Sequence, residues 1–274
     1  MLNINTNILS MATQKNLSGS QSVLSSAINR LSSGKRINSA ADDAAGLAIS
    51  TSMKSYTNAL NQSVSNANNA VSMLQTASSG LSSITDNLQR IRQLAVQASD
   101  GSLSTNDRAK IDAEVQQRIG EITRVGTDTT FNGVKVLDGT AGAAVDFQVG
   151  ATAGQKLTLD LSNDYSTVLT AGTDTVAGAN ATAAQALMTK VDTTLDSINT
   201  QQATFGAQLN RFQSAISDLQ SQSTNLSAAS AQITDADFAQ ETANLSKGQV
   251  LQQAGISVLA QANSMPQQVL KLLG

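Results

Sequence analysis

Counting from Met53, apolar or small residues recur every seven positions at Leu60, Ala67, Leu74, Leu81, Leu88 and Ala95. They recur again three places further on at Tyr56, Ala70, Ala77, Ile84, Ile91 and Ala98, where Ser63 alone breaks the row. A strand repeats every two residues, so this spacing predicts a long helix over about 46–99 with a stripe facing a partner helix. In the other half of the chain Val191, Ile198, Phe205, Phe212, Leu219 and Leu226 are also seven apart, with Leu195, Leu209 and Ile216 beside them. They predict a matching helix over about 185–228. Two seams from opposite halves are satisfied by packing on each other, with the middle of the chain as the return connection. At about 1.5 Å per residue the first helix would be roughly 70 Å long, which predicts a rod.

The ends repeat the theme. Leu17, Leu24 and Leu31 are spaced by seven with Ile28 beside them, and Leu251, Val258, Met265 and Leu272 are likewise spaced by seven, accompanied by Gly255, Ala262 and Val269. Ile256, Leu259, Leu270 and Leu273 widen the second stripe beyond what one partner helix covers. Either this is an ordinary amphipathic bundle helix, or other copies of the chain supply the remaining cover. Pro266, the only proline, is expected to disturb the last helix locally.

Between the halves the period shortens. "FNGVKVLDG" (131–139) sets Asn132-Gly133 among apolar residues, a hairpin signal of the type I′ kind. "VDFQVGATAGQKLTLDL" (145–161) alternates Val145, Phe147 and Val149, then Leu157, Leu159 and Leu161 after a glycine-containing turn. A helix over about 104–126 precedes them, with Ser104 or Thr105 as its cap and Asp107 in its first turn. Residues 166–182, rich in Thr, Ala and Gly, read as an exposed loop. The expected fold is mainly α, with long antiparallel coiled-coil helices forming a rod and a small β region at about 129–165.

Composition narrows the chemistry. The 274 residues include no Cys, no His and no Trp, which removes thiol nucleophiles, histidine bases and nearly every transition-metal site. Aromatics at 3% are too few for one thick core, so the helical seams must organise the chain. A net charge of -3 gives no electrostatic reason to expect nucleic acid or an anionic membrane. The N-terminus lacks a basic start and an unbroken apolar run, so a Sec signal is not expected. No 18-residue apolar stretch suggests a membrane span.

Three motifs invite a chemical reading and fail. Gly34-Lys35 resembles the end of a phosphate loop, but Asn29 stands in place of the first glycine and Arg36 in place of the hydroxyl that holds magnesium. Asp128, Thr130, Asn132 and Gly133 imitate half a calcium loop, with Gly139 where the bidentate Glu belongs. Asp235 and Asp237 read as caps of the last helix rather than an acid–base pair. Gly34 reads as the stop of the first helix with Lys35 and Arg36 beside its negative end, and Ser39, Asp42 and Asp43 as the start signals of the next. No enzyme site, metal site or cofactor is expected, and function should lie in shape and association.

Several segments together resemble bacterial flagellin: "INTNI" (4–8), "RLSSGKRINSAADDAAGLAI" (30–49), "LQRIRQLAVQASDG" (88–101), "FNGVKVL" (131–137) and "LQQAGISVLAQANSMPQQVLKLL" (251–273). The resemblance spans about residues 1–140 and 185–274 and implies a short form without large outer variable domains. It implies an inner-tube segment from residues 1–45 with 230–274, and a rod segment from residues 46–229. Lys35, Arg36, Asp42 and Asp43 would lie in the spoke joining them. The implied activity is polymerisation into a secreted, extracellular filament for swimming. Leu17, Leu24, Ile28, Leu31, Leu251, Ile256, Val258, Leu259, Val269 and Leu272 would be the subunit-packing residues. Implied partners are other copies, an export chaperone of the type III route, cap and hook–filament junction proteins, and the vertebrate flagellin-sensing Toll-like receptor. That receptor would read Gln89, Arg90, Leu94 and Glu114, and the final "VLKLL" resembles the part sensed by cytosolic inflammasome receptors. The hook–filament junction protein shares the end-to-end helical plan and is the nearest rival; a cytoplasmic coiled-coil adaptor is the rival from another class.

Overall fold

The computed structural model describes residues 6–178 and 181–273, with side chains throughout except at 143 and 266–273. The described elements are α1 (Ile8–Ser33), α2 (Ala44–Ala98), α3 (Thr105–Asp128), β1 (Thr130–Phe131), β2 (Val134–Lys135), β3 (Gly142–Gln148), β4 (Lys156–Leu161), α4 (Thr182–Thr234) and α5 (Phe238–Leu273). Two compact units divide the chain, Asn58–Ser223 and Met1–Thr57 with Thr224–Gly274. Helices α2 and α4 each contribute to both.

In the unit Asn58–Ser223 the seam of α2 is buried along its length. Leu60, Ala67, Ala70, Leu74, Ala77, Leu81, Ile84, Leu88, Ile91, Ala95 and Ala98 all lie at 3% exposure or less. Val191, Ile198, Phe205 and Phe212 of α4 join the same core. The helices run antiparallel: Ser223 Oγ donates to Asn61 Oδ1 at 3.0 Å, while Arg92 pairs with Asp192 at 2.6 Å. Ser63, the break in the seam, is buried with its hydroxyl donating to the Ala59 carbonyl at 2.9 Å. A serine is tolerated there because the helix's own backbone accepts its proton.

Helix α3 adds a third apolar face. Its N-cap is Ser104, whose Oγ accepts from the Asp107 amide at 3.2 Å, and Val115, Ile119 and Ile122 are fully buried. Next, β1 and β2 pair Phe131 with Val134 across Asn132-Gly133, both at positive φ as a type I′ turn requires. Strands β3 and β4 pair Val145 with Leu159 and Phe147 with Leu157. Their inward residues reach the helices: Phe147 meets Phe212 edge to face at 5.9 Å.

Two expectations need correction. The stretch 166–182 is not simply exposed, because Leu169 and Val176 are buried in the core at 1% and 0%. Asp112 of α3 fixes it by accepting from the Val176 amide at 2.8 Å and from Thr175 Oγ1 at 2.7 Å. Helix α4 runs to Thr234 instead of ending near 228. Pro266 lies within α5, which continues to Leu273. One missing ladder donor costs a helix less than the remaining bonds of its turns supply.

Arg108 is only 3% exposed. Its Nε donates to the Ala98 carbonyl and its Nη2 to the Asp100 carbonyl, each at 2.9 Å, so α3 supplies a cation to the open C-terminal end of α2. Removing it strands two carbonyls and opens a void. Arg108→Ala should therefore destabilise this unit by about 3 kcal/mol in denaturant unfolding, with helical content in water unchanged.

Candidate assembly surface

The unit Met1–Thr57 with Thr224–Gly274 is built on a different principle. Helices α1 and α5 lie antiparallel. Asn7 Nδ2 donates to the Ala262 carbonyl at 2.8 Å, Ser10 Oγ to Asn263 Oδ1 at 2.8 Å, and Arg30 Nη1 pairs with Glu241 Oε1 at 3.0 Å. What they bury between them is small: Ala27 and Ala262 at 1% and 2%, with Ser10 and Thr13. Leu24 and Leu17 lie over Gly248 and Gly255, where an added Cβ would approach the leucine side chains to 3.3 and 3.1 Å. Small residues on α5 let the half-buried Leu17 and Leu24 of α1 come close, while many other large residues are left outside.

On α1 the exposed large residues include Ile8, Leu9, Met11, Val23 and Ile28; on α5 they include Phe238, Val250, Leu251, Ile256, Val258 and Met265. The heptad rows of α5 are thus split. Gly248, Gly255 and Ala262 face α1, whereas Leu251, Val258 and Met265 remain 45–46% exposed. Among the expected packing residues, Leu17, Leu24, Leu31 and Leu259 are half-buried, Ile28, Leu251, Ile256 and Val258 are exposed, and the side chains of Val269 and Leu272 lie outside the described residues, as does the VLKLL surface.

The expected spoke residues sit where two connections meet. Gly34 ends α1 in the left-handed conformation at φ 70°. The chain then bridges the α4–α5 connection, with Lys35 opposite Asp235, the Arg36 amide on the Thr234 carbonyl at 2.7 Å and the Ala236 amide on the Gly34 carbonyl at 3.0 Å. The Arg36 guanidinium donates to the Ile233 carbonyl at 2.6 Å, so it caps the end of α4 and not that of α1. That corrects the sequence expectation, which could not know that α4 ends beside it. Asp43 accepts from the Gly46 amide at 2.9 Å and starts α2. Asp42 accepts from the Ser39 hydroxyl and the Asn38 and Ser39 amides, which hold its pKa below the ordinary carboxylate range. Asp237 accepts from the Ala239 and Gln240 amides and starts α5.

In the other unit Arg90 Nε and Nη2 grip both oxygens of Glu114 at 2.9 and 3.3 Å. The hydrogen bonds and charge raise the Arg90 pKa and lower that of Glu114. Gln89 is exposed beside them. Leu94 does not join this surface, because it is 3% exposed and belongs to the core.

Comparison with known proteins matches both ends of the chain to one family. Residues 4–142 match the bacterial flagellin N-terminal helical region and residues 188–273 the bacterial flagellin C-terminal helical region. The chain is 42% identical to a flagellin of Xenorhabdus nematophila over 98% of both sequences.

The chain belongs to the bacterial flagellin family.

It is also 52% identical to the phase 1 flagellin of Salmonella naestved over 58% of this chain, and spans 31% of that relative's length. The crystal structure of Bacillus cereus flagellin superposes with a TM-score of 0.51 at 34% identity, covering 61% of this chain and 94% of the other. Flagellins are structural proteins and not enzymes, which agrees with the chemical motifs that failed. Among the described residues, no helix of this flagellin is long and apolar enough to cross a membrane.

The glycine row can be tested apart from the outward row. Gly248→Leu forces a large side chain against Leu24 and should separate α1 from α5. Backbone amides of both helices are expected to lose protection in hydrogen exchange, while those of α3 keep theirs.

Proposed function

We propose that this flagellin is the subunit of an extracellular helical filament that drives swimming, assembled by covering the outward faces of α1 and α5 with other copies. One observation carries this. Of the fifteen large apolar side chains exposed among the described residues, all but Val96 and Val134 belong to Met1–Thr57 and Thr224–Gly274. Burying each such side chain contributes about 1.5–3 kcal/mol, and in this reading further chains supply the cover. In this reading residues 1–45 with 230–274 form the inner tube and 46–229 the rod segment. Lys35 and Asp42 of the spoke are left to meet neighbouring copies. The subunit leaves the cell unfolded by the type III route, with an export chaperone before it and cap and hook–filament junction proteins at the filament ends.

The exposed ion pair Arg90–Glu114 with Gln89 is the surface a vertebrate Toll-like receptor would read on the free monomer. Leu94 contributes from beneath by holding α2 in place.

Two variants separate assembly from folding. Deletion of residues 1–30 and the double substitution Leu251→Gln with Val258→Gln should both abolish growth from filament seeds in negative-stain images. The double variant should keep the wild-type circular dichroism; continued polymerisation of either variant refutes the assigned role of these helices. In reporter cells, Arg90→Ala and Glu114→Ala monomers should lose receptor signalling, and undiminished signalling removes that assignment.

A further inference from the structure

Asn132 and Gly133 form the only Asn-Gly pair in the chain, and the fold displays it at the tip of the β1–β2 hairpin. Asn132 is the one described non-glycine residue at positive φ, at 50°, followed by Gly133 at 80°. Both are exposed. A Cβ at Gly133 would meet nothing within 4 Å, and the Asn132 carboxamide has no hydrogen-bond partner among the described residues. A side-chain amide that nothing holds thus sits next to the exposed backbone of Gly133.

We propose that Asn132 is a self-modifying site that converts spontaneously to aspartate and isoaspartate through a cyclic imide. The Gly133 nitrogen loses its proton to solvent as it bonds to Asn132 Cγ; the Cγ–Nδ2 bond breaks, Nδ2 takes up a proton, and ammonia leaves. One water then opens the imide. If it cleaves the Cγ–N bond, the backbone is restored and residue 132 is aspartate. If it cleaves the bond between the residue 132 carbonyl carbon and the Gly133 nitrogen, the chain runs through Cγ and leaves a free α-carboxylate. The balance is one amide and one water consumed, one acid and one ammonia formed. No enzyme or oxidant is needed.

Closing the ring requires rotation about the Asn132 Cα–C bond out of the left-handed turn, so the reaction waits for the hairpin to open. That opening is cheap. The ladder holds only two residue pairs, Thr130 with Lys135 and Phe131 with Val134, and with Phe131 the one residue of these four packed against the core, opening the tip disturbs few contacts. The positive φ of Asn132 adds strain that opening relieves.

The isoaspartyl product has a larger effect than its charge. It inserts one extra backbone carbon between Phe131 and Val134, and a loop that closes with two residues cannot absorb it without losing the pairing. Val136, whose amide donates to the Thr129 carbonyl at 3.2 Å, and buried Leu137 follow directly. Damage at the tip therefore reaches the edge of the core, beside the groove formed by Met73, Val134 and Phe147.

The full chain is incubated at mildly alkaline pH and physiological temperature and then digested with trypsin. Cleavage after Arg124 and Lys135 releases Val125–Lys135, which is followed by mass spectrometry and by labelling with an isoaspartate-specific methyltransferase. Amide loss at Asn132 is expected about tenfold faster than at Asn38 and Asn263, each followed by serine, equivalent to ~1.4 kcal/mol off the barrier. Isoaspartate should appear with aspartate, and urea below the main unfolding transition should raise the rate. Equal rates at the three asparagines overturn the proposal. So does aspartate without isoaspartate, and a rate indifferent to urea overturns the dependence on hairpin opening.

Discussion

Two helices laid side by side have an interior only one row of residues deep. In α1 and α5 that row holds Ala27, Ala262, Gly248 and Gly255 with Leu17 and Leu24 only half-buried over the glycines, so the axes come close but little apolar surface is buried. The hydrophobic effect cannot be satisfied inside such a pair, so large side chains on both helices stay in water. The unit Asn58–Ser223 escapes the limit because α3 and the β3–β4 hairpin close over the α2 and α4 seams, leaving Leu74, Leu81 and Leu88 with no exposure. In the proposed filament, folding and assembly therefore draw on the same kind of residue, and the number of covering elements decides which process buries it.

The helix ends are managed as carefully as the seams. Long helices leave carbonyls without partners at their C-termini. Here α2 is closed by Arg108 of the next helix and α4 by Arg36, nearly two hundred residues away in the chain. Both are arginines, whose planar fork reaches backbone oxygens that a lysine would contact as a point charge. The acids do the complementary work, with Asp43 and Asp237 placed at helix starts. Charges that suggest a binding site in the sequence are thus mostly absorbed in ending and beginning helices.

Seven-residue spacing was legible because it repeats; every apolar member of the α2 seam from Leu60 onward is buried as the period requires. The Asn-Gly hairpin was legible because its turn chemistry is local. Leu169 and Val176 were not, since two apolar residues in a threonine-rich stretch form no period and only α3, folded elsewhere, gives them a place. Arg108 was missed because an arginine in a polar helix face reads as solvent-exposed until its neighbours are known. Leu94 shows the opposite case, where a resemblance offered a recognition role to a residue that the geometry places in the core. In the candidate surface, the sequence exposed the width of the α5 stripe but could not say which row would face α1.

The split of α5 into an inner glycine and alanine row and an outer Leu251, Val258 and Met265 row has a thermodynamic consequence. A contact made within one molecule has a fixed strength, but a contact made between molecules strengthens with their number. In the proposed filament the ends of this chain would consequently have no single melting temperature. Their order would be a property of the population, weak in dilution and firm in a crowd, while the middle of the same chain would keep a stability of its own at any concentration.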